Sequence, residues 1–102
     1  MKKNVLKGLP EGAIEAVAAR FKALGEVSRL KIIQALHTRE MSVTEIVEET
    51  ELSQPNVSRH LSVLASTKLI GKRKDGSSAL YRIIDQNLNE ICSIVCKSVK
   101  SN

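Results

Sequence analysis

The sequence predicts a mainly α fold carrying one β-hairpin, with about five helices and two strands, and three observations support this. Apolar residues recur at spacings of three and four along most of the chain, the period of amphipathic helices. Polar N-cap residues, Ser42 and Ser53, stand directly ahead of two of those stripes. Two short runs, 69–74 and 79–84, flank Asp75-Gly76, a step that favours hairpins because glycine tolerates positive φ.

At 102 residues the chain has room for one domain with a modest core. Gly8, Pro10 and Gly12 break the first dozen residues, so 1–12 is expected to be a flexible N-terminal segment and 13–100 the folded domain. Ala13, Ile14, Val17, Ala18, Phe21 and Leu24 form the first helical stripe, with Phe21 read as core and Gly25 as the stop. Leu30, Ile32, Ile33 and Leu36 mark a second helix, with Ser28 as its candidate cap and an end near His37. Ser42 and Glu45 make a capping-box pattern, and Val43, Ile46 and Val47 supply that helix's buried face.

After a tight connection at Thr50-Glu51-Leu52, Ser53 caps a fourth helix whose buried stripe is Val57, Leu61 and Leu64. Pro55 is tolerated in its first turn, where no intrahelical N–H bond is lost. Two helices joined by so short a turn make a helix-turn-helix, and the hairpin directly behind it is a wing. The strands are expected at 69–74 and 79–84, around a turn of Asp75-Gly76-Ser77-Ser78. Leu88, Ile91, Val95 and Val99 then lie on a last helix of roughly 14 residues, judged from its period. The expected fold is a winged helix-turn-helix.

Composition narrows the function. No apolar run approaches the ~20 residues of a membrane span, and the basic start, Met1–Leu6, lacks the apolar stretch of a signal peptide. Cys92 and Cys96 are too few for a secreted disulfide framework. The expected location is the cytoplasm, with no membrane partner. The net charge of +5 is concentrated: between Gln54 and Ile84 stand Arg59, Lys68, Lys72, Arg73, Lys74 and Arg82 against Asp75 alone. Residues 1–53 carry eight basic and eight acidic side chains, and 85–102 two of each. A basic patch so localised is the footprint of a phosphate-binding surface.

The run Leu52-Ser53-Gln54-Pro55-Asn56-Val57-Ser58-Arg59-His60-Leu61-Ser62-Val63-Leu64 closely resembles the recognition-helix signature of the ArsR/SmtB winged-helix repressors. Phe21–Ile32 resembles the family's segment leading from the first helix into the second, and the wing with Tyr81 and then Asp85 fits as well. The resemblance spans roughly 13–100. It implies a homodimer, paired through its first and last helices, that binds imperfect inverted repeats in promoter DNA and is released by an inducer. A two-fold dimer presents two recognition helices to successive major grooves.

On that helix Gln54, Asn56, Ser58, Arg59 and His60 are the candidate contacts to double-stranded DNA. Gln and Asn can pair with adenine, and Arg with the O6/N7 edge of guanine. His60 has the alternative of a local hydrogen bond that supports the helix. In the wing, Lys72, Arg73, Lys74 and Arg82 can reach flanking phosphates, which positions a protein without reading sequence.

The family's metal sites need checking residue by residue. Its arsenic motif places cysteines where this chain has Ser42 and Thr44, neither of them a soft ligand. Its second site uses acid and histidine ligands on the last helix, where this chain has Asp85, Asn87, Ser98 and Ser101. One carboxylate without imidazoles is a poor zinc site. Cys92 and Cys96 remain, four residues apart on one helix face. Paired across a dimer axis, four thiols could take a thiophilic effector such as As(III), Cd(II) or Cu(I), or oxidise between subunits. They can equally be small buried hydrophobes in an effector-independent repressor.

No cofactor is required by this reading, and no glycine-rich phosphate loop or paired nucleophile and base suggests an enzyme. The rival from another class is a winged-helix protein-interaction module, which would be expected to lack a basic, polar recognition helix and wing. An RNA-binding role finds no stacking platform, because Phe21 and Tyr81 are the only aromatics.

Overall fold

A computed structural model describes residues 3–101. After a single 3-10 turn at Val5–Gly8 come α1 (Ala13–Leu24), α2 (Val27–Leu36), α3 (Val43–Thr50) and α4 (Gln54–Ser66). The hairpin β1 (Ile70–Asp75) and β2 (Ser78–Ile83) follows, and α5 (Leu88–Lys100) closes the chain. Asn4 caps the 3-10 turn by accepting the Lys7 N–H, and none of its residues is buried.

Helix α2 is the hub because its sequence is apolar on more than one side. It buries Ile32, Ile33, Ala35 and Leu36 and packs against α1, α3, α4 and β2. The expected cap at Ser28 is corrected by the structure: Glu26 is the N-cap, its carboxylate accepting the Arg29 N–H at 3.1 Å. A carboxylate here satisfies an orphan donor as a hydroxyl would, and also places negative charge at the positive end of the helix.

The capping box of α3 forms in full: Ser42 Oγ accepts the Glu45 N–H at 3.2 Å, and Glu45 Oε1 accepts the Ser42 N–H at 3.0 Å. Glu51 then ends α3 in the left-handed region, φ 61°, its N–H bonded to the Val47 carbonyl at 2.9 Å. That reversal sets α4 across α3. Val57, Leu61 and Leu64 anchor α4 on Ile32, Ile46 and the rest of the core.

The hairpin turn is tighter than the four residues expected. Asp75 pairs with Ser78, leaving only Gly76-Ser77 between the strands, and Gly76 has φ 64°. Glycine at the first central position with positive φ is the requirement of a type II′ turn, which matches the twist of the strands. Each strand accordingly moves by one residue towards the turn. Met41 adds a short bridge to the outer edge of β2, with reciprocal bonds to Tyr81 of 3.1 and 2.8 Å.

The core leaves one side of the molecule apolar and uncovered. Phe21, expected inside, is 65% exposed, because α1 buries only Ala23 fully, packs Leu24 partly against the core, and turns Ile14 and Phe21 outward. Helix α5 is anchored by Leu88 and half-buried Cys92, while Ile91, Ile94, Val95 and Val99 face out. Both exposed stripes belong to the first and last helices.

Candidate nucleic-acid interface

Helix α4 divides its residues between core and surface by the helical period. Val57, Leu61 and Leu64 point in, whereas Gln54, Asn56, Ser58 and Arg59 are exposed. Ser53 Oγ accepts the Asn56 N–H at 3.3 Å and fixes the first turn, with Pro55 inside it. Arg59 reaches back one turn to donate to Asn56 Oδ1 at 3.1 Å. The pair is exposed, so duplex atoms can replace this bond without leaving a buried group unpaired.

His60 does not belong to that surface. Its ring is 7% exposed, with Nδ1 3.3 Å from the Arg29 guanidinium and Nε2 3.6 Å from the Glu26 carboxylate. Position 60 falls on the inward side of α4 between Val57 and Leu61, and the local hydrogen bond is the role the ring takes. Arg29 and Glu26 were not legible as partners. Glu26 stands three residues before Arg29, the spacing of an N-cap, but no sequence pattern joins residue 29 to residue 60.

The wing's basic residues also separate. Opposed residues of an antiparallel pair share a face, so the register places Lys72 and Lys74 with Tyr81 and Ala79. Arg73 and Arg82 lie on the other face, with Leu80 and Gly71. Arg73 is already engaged: Nε lies 3.2 and 3.0 Å from the two Glu40 oxygens, and a terminal nitrogen 2.9 Å from one of them. This hydrogen bonding holds the Glu40 carboxyl below its ordinary range, helped by the charges of Arg73 and Arg82. It also raises the Arg73 guanidinium further. Among the described residues Lys72 and Lys74 have no such partner.

The comparisons with known proteins match this arrangement. A family model described as bacterial regulatory protein, arsR family, covers residues 26–70, from the cap of α2 to the first residue of the wing. The arsenical resistance operon repressor of Staphylococcus aureus is 36% identical over 91 residues, spanning 78% of this chain and 88% of that protein. The chain belongs to the arsR family of bacterial regulatory proteins.

The transcriptional regulator KmtR of Mycobacterium tuberculosis is 31% identical over 83 residues, 81% of this arsR-family chain but only 64% of KmtR. Among solved structures, a homodimeric winged helix-turn-helix DNA-binding domain from Mycobacterium bovis superposes with TM-score 0.81 at 26% identity, covering 91% of this chain and 89% of that one. The repressor BigR from Xylella fastidiosa superposes with TM-score 0.72 at 25% identity, over 83% and 87% of the two chains. These relatives are transcriptional regulators or repressors, not enzymes, and the winged helix-turn-helix of the Mycobacterium bovis domain is present here.

The family's metal positions do not fit a metal in this chain. Ser42 is occupied as the α3 cap, and Thr44 carries no thiolate. Asp85 Oδ1 accepts the Asn87 N–H at 2.9 Å, serving the entry to α5. Among the described residues no three His, Cys, Asp or Glu side chains are grouped to hold an ion. Cys92 and Cys96 are free thiols, one half-buried and one exposed. They line a groove of about 520 Å³ between α2 and α5, together with Val27, Leu30 and Ile33. Burial, and then the neighbouring Cys96, pushes the Cys92 thiol up from its ordinary value.

Proposed function

We propose that this arsR-family protein represses transcription by binding an inverted repeat in duplex DNA as a homodimer. Residues 13–100 form the DNA-binding and dimerisation domain. Gln54, Asn56, Ser58 and Arg59 read base edges in the major groove, and Lys72 and Lys74 hold flanking phosphates. Arg82 lies on the opposite face of the wing, its charge felt by Glu40, and Arg73 fastens the wing to Glu40. The observation that carries this reading is the polar outer face of α4, fixed from behind by Val57, Leu61 and Leu64 beside a basic hairpin. The exposed apolar stripes of α1 and α5 support pairing with a second copy, as in the homodimeric Mycobacterium bovis domain.

The protein is cytoplasmic in this reading, and no helix among the described residues is long and apolar enough to cross a membrane. Gel shifts with DNA from upstream of its own gene, against a random duplex of equal length, test the proposal. Selective retardation of the upstream DNA is expected. Failure to bind either duplex would instead indicate a protein-interaction module.

The effector acts at Cys92 and Cys96. As(III) and Cd(II) favour more thiolates than the two of one chain, so for them the partner's pair completes the set across the dimer axis, whereas two thiolates suffice for Cu(I). A two-electron oxidant would take two electrons and two protons from a pair of thiols, leaving a disulfide. One observation favours the rival, an effector-independent repressor: a thiol whose titration is pushed up by burial is less reactive, because the thiolate is the nucleophile and the metal ligand. Arsenite, Cd(II) and diamide are each added to the protein–DNA complex. Release from wild type but not from Cys92→Ser/Cys96→Ser supports sensing; no release by any of the three leaves the cysteines structural.

A further inference from the structure

The corner between α1 and α2, residues 22–30, serves two neighbours at once. Towards α5 its side chains form the wall opposite the cysteines. Val27 and Leu30 line the larger groove with Cys92 and Cys96, and Leu24, Gly25 and Leu30 line a second, of about 260 Å³, with the same two thiols. Towards α4 the corner holds His60. Glu26 and Arg29, the residues that do so, lie within the same turn as Val27 and Leu30.

The connection to α4 is a set of directional bonds. Arg29 Nε donates to the Ala23 carbonyl at 2.7 Å, and one terminal nitrogen to the Lys22 carbonyl at 3.2 Å, so a side chain of α2 satisfies the end of α1. The other terminal nitrogen faces His60 Nδ1 at 3.3 Å. A guanidinium only donates, so Nδ1 accepts and the neutral ring carries its proton on Nε2, towards Glu26. Glu26 Oε2 meanwhile accepts the Arg29 N–H and lies 3.6 Å from Nε2. His60 is the buried polar residue among the described core, and both ring nitrogens look into the corner. The backbone of α1 approaches this corner closely, and a Cβ at Gly25 would stand 3.2 Å from the Phe21 carbonyl oxygen.

We propose that this corner carries a change at the Cys92/Cys96 groove to the recognition helix, with Glu26, Arg29 and His60 as the residues that position α4. The proposal rests on the sensing reading of the two cysteines and adds its route. An effector that draws the thiols together, or wedges between α5 and Leu30, displaces the first turn of α2. Arg29 moves with that turn, and a buried His60 nitrogen that loses its donor is costly. Helix α4 therefore follows the corner, and the rotation that suits the major groove is lost. Val57 and Leu61 flank His60, so the base-reading residues turn with it.

The test is the ratio of operator affinities without and with the probe, whether arsenite, Cd(II) or diamide, that releases wild type. Thermal melting confirms that each variant is folded. Couplings of this kind commonly run at about 5–150-fold, and in wild type the ratio is expected in that range. His60→Leu, which fills the site but accepts no bond, is expected to bring the ratio to about one while the thiols still react with the probe. His60→Asn, whose carbonyl oxygen stands near the Nδ1 position, should restore it. Arg29→Lys, which keeps the charge and loses the fork, reads the same link if His60→Leu does not fold.

Wild-type ratios in all three variants would overturn the route and leave the sensing reading standing. A wild-type protein that none of the three probes releases would overturn the sensing reading, and the route with it.

Discussion

At the scale of single residues, the exposed face of α4 is where the proposed specificity resides. Arg59 donates to Asn56 in the free protein, and both are exposed, so each can exchange this bond for one to a base. We expect Arg59→Ala to weaken binding to the cognate operator by about 1–3 kcal/mol and binding to random duplex much less. Equal weakening on both would reassign Arg59 to phosphate. Most of this surface was legible, because the period that buries Val57, Leu61 and Leu64 also exposes Gln54, Asn56, Ser58 and Arg59. His60 was misplaced for a physical reason. A histidine beside an inward leucine faces whichever side offers it partners, and Glu26 and Arg29 come from over 30 residues away. Phe21 erred in the other direction: an apolar residue on a helical stripe reads as core, and sequence alone does not say whether its own chain or a second copy covers it.

At the scale of elements, local chemistry sets the helix-turn-helix. The Ser42–Glu45 box and the Ser53 cap were visible as residue spacings, and both form. We expect Ser42→Ala to cost about 1 kcal/mol in urea unfolding. The Glu45 carboxyl is held below its ordinary range, chiefly by the Ser42 N–H and then by Arg39. A depressed carboxyl contributes stability that is fully present above its unfolded value and lost as pH falls through the folded one. Thermal stability should therefore decline on acidification below the ordinary carboxylate range, and Glu45→Gln should show less of this decline. A pH profile identical to wild type would remove the box from that behaviour.

In the wing, the register divides four basic residues that look equivalent in sequence. Replacing Lys72 or Lys74 by Ala should flatten the slope of log affinity against log salt by about one each. Arg73→Ala should change that slope little, because Glu40 already neutralises it, and should instead loosen the hairpin from the start of α3. Equal slope changes at all three positions would contradict the division. The strand pairing itself could be read from Asp75-Gly76. The two-residue turn could not, since the choice between Asp75-Gly76 and Gly76-Ser77 at the centre depends on pairing across the hairpin.

For the molecule as a whole, the basic segment and the apolar faces lie on different elements: α4 and the hairpin carry the first, α1 and α5 the second. That division suits a dimer that presents two recognition helices to one side of a duplex. In the single chain Val99 is 68% exposed and Phe21 65%, an apolar exposure that marks a surface for a partner to cover. Dimeric operator binding is the central claim, and sedimentation of the protein titrated onto a duplex from upstream of its own gene tests it most directly. We expect two protomers per inverted repeat, with Val95→Glu on the α5 stripe lowering both dimer content and operator affinity. One protomer per duplex, or equal affinity for a random sequence, would contradict it.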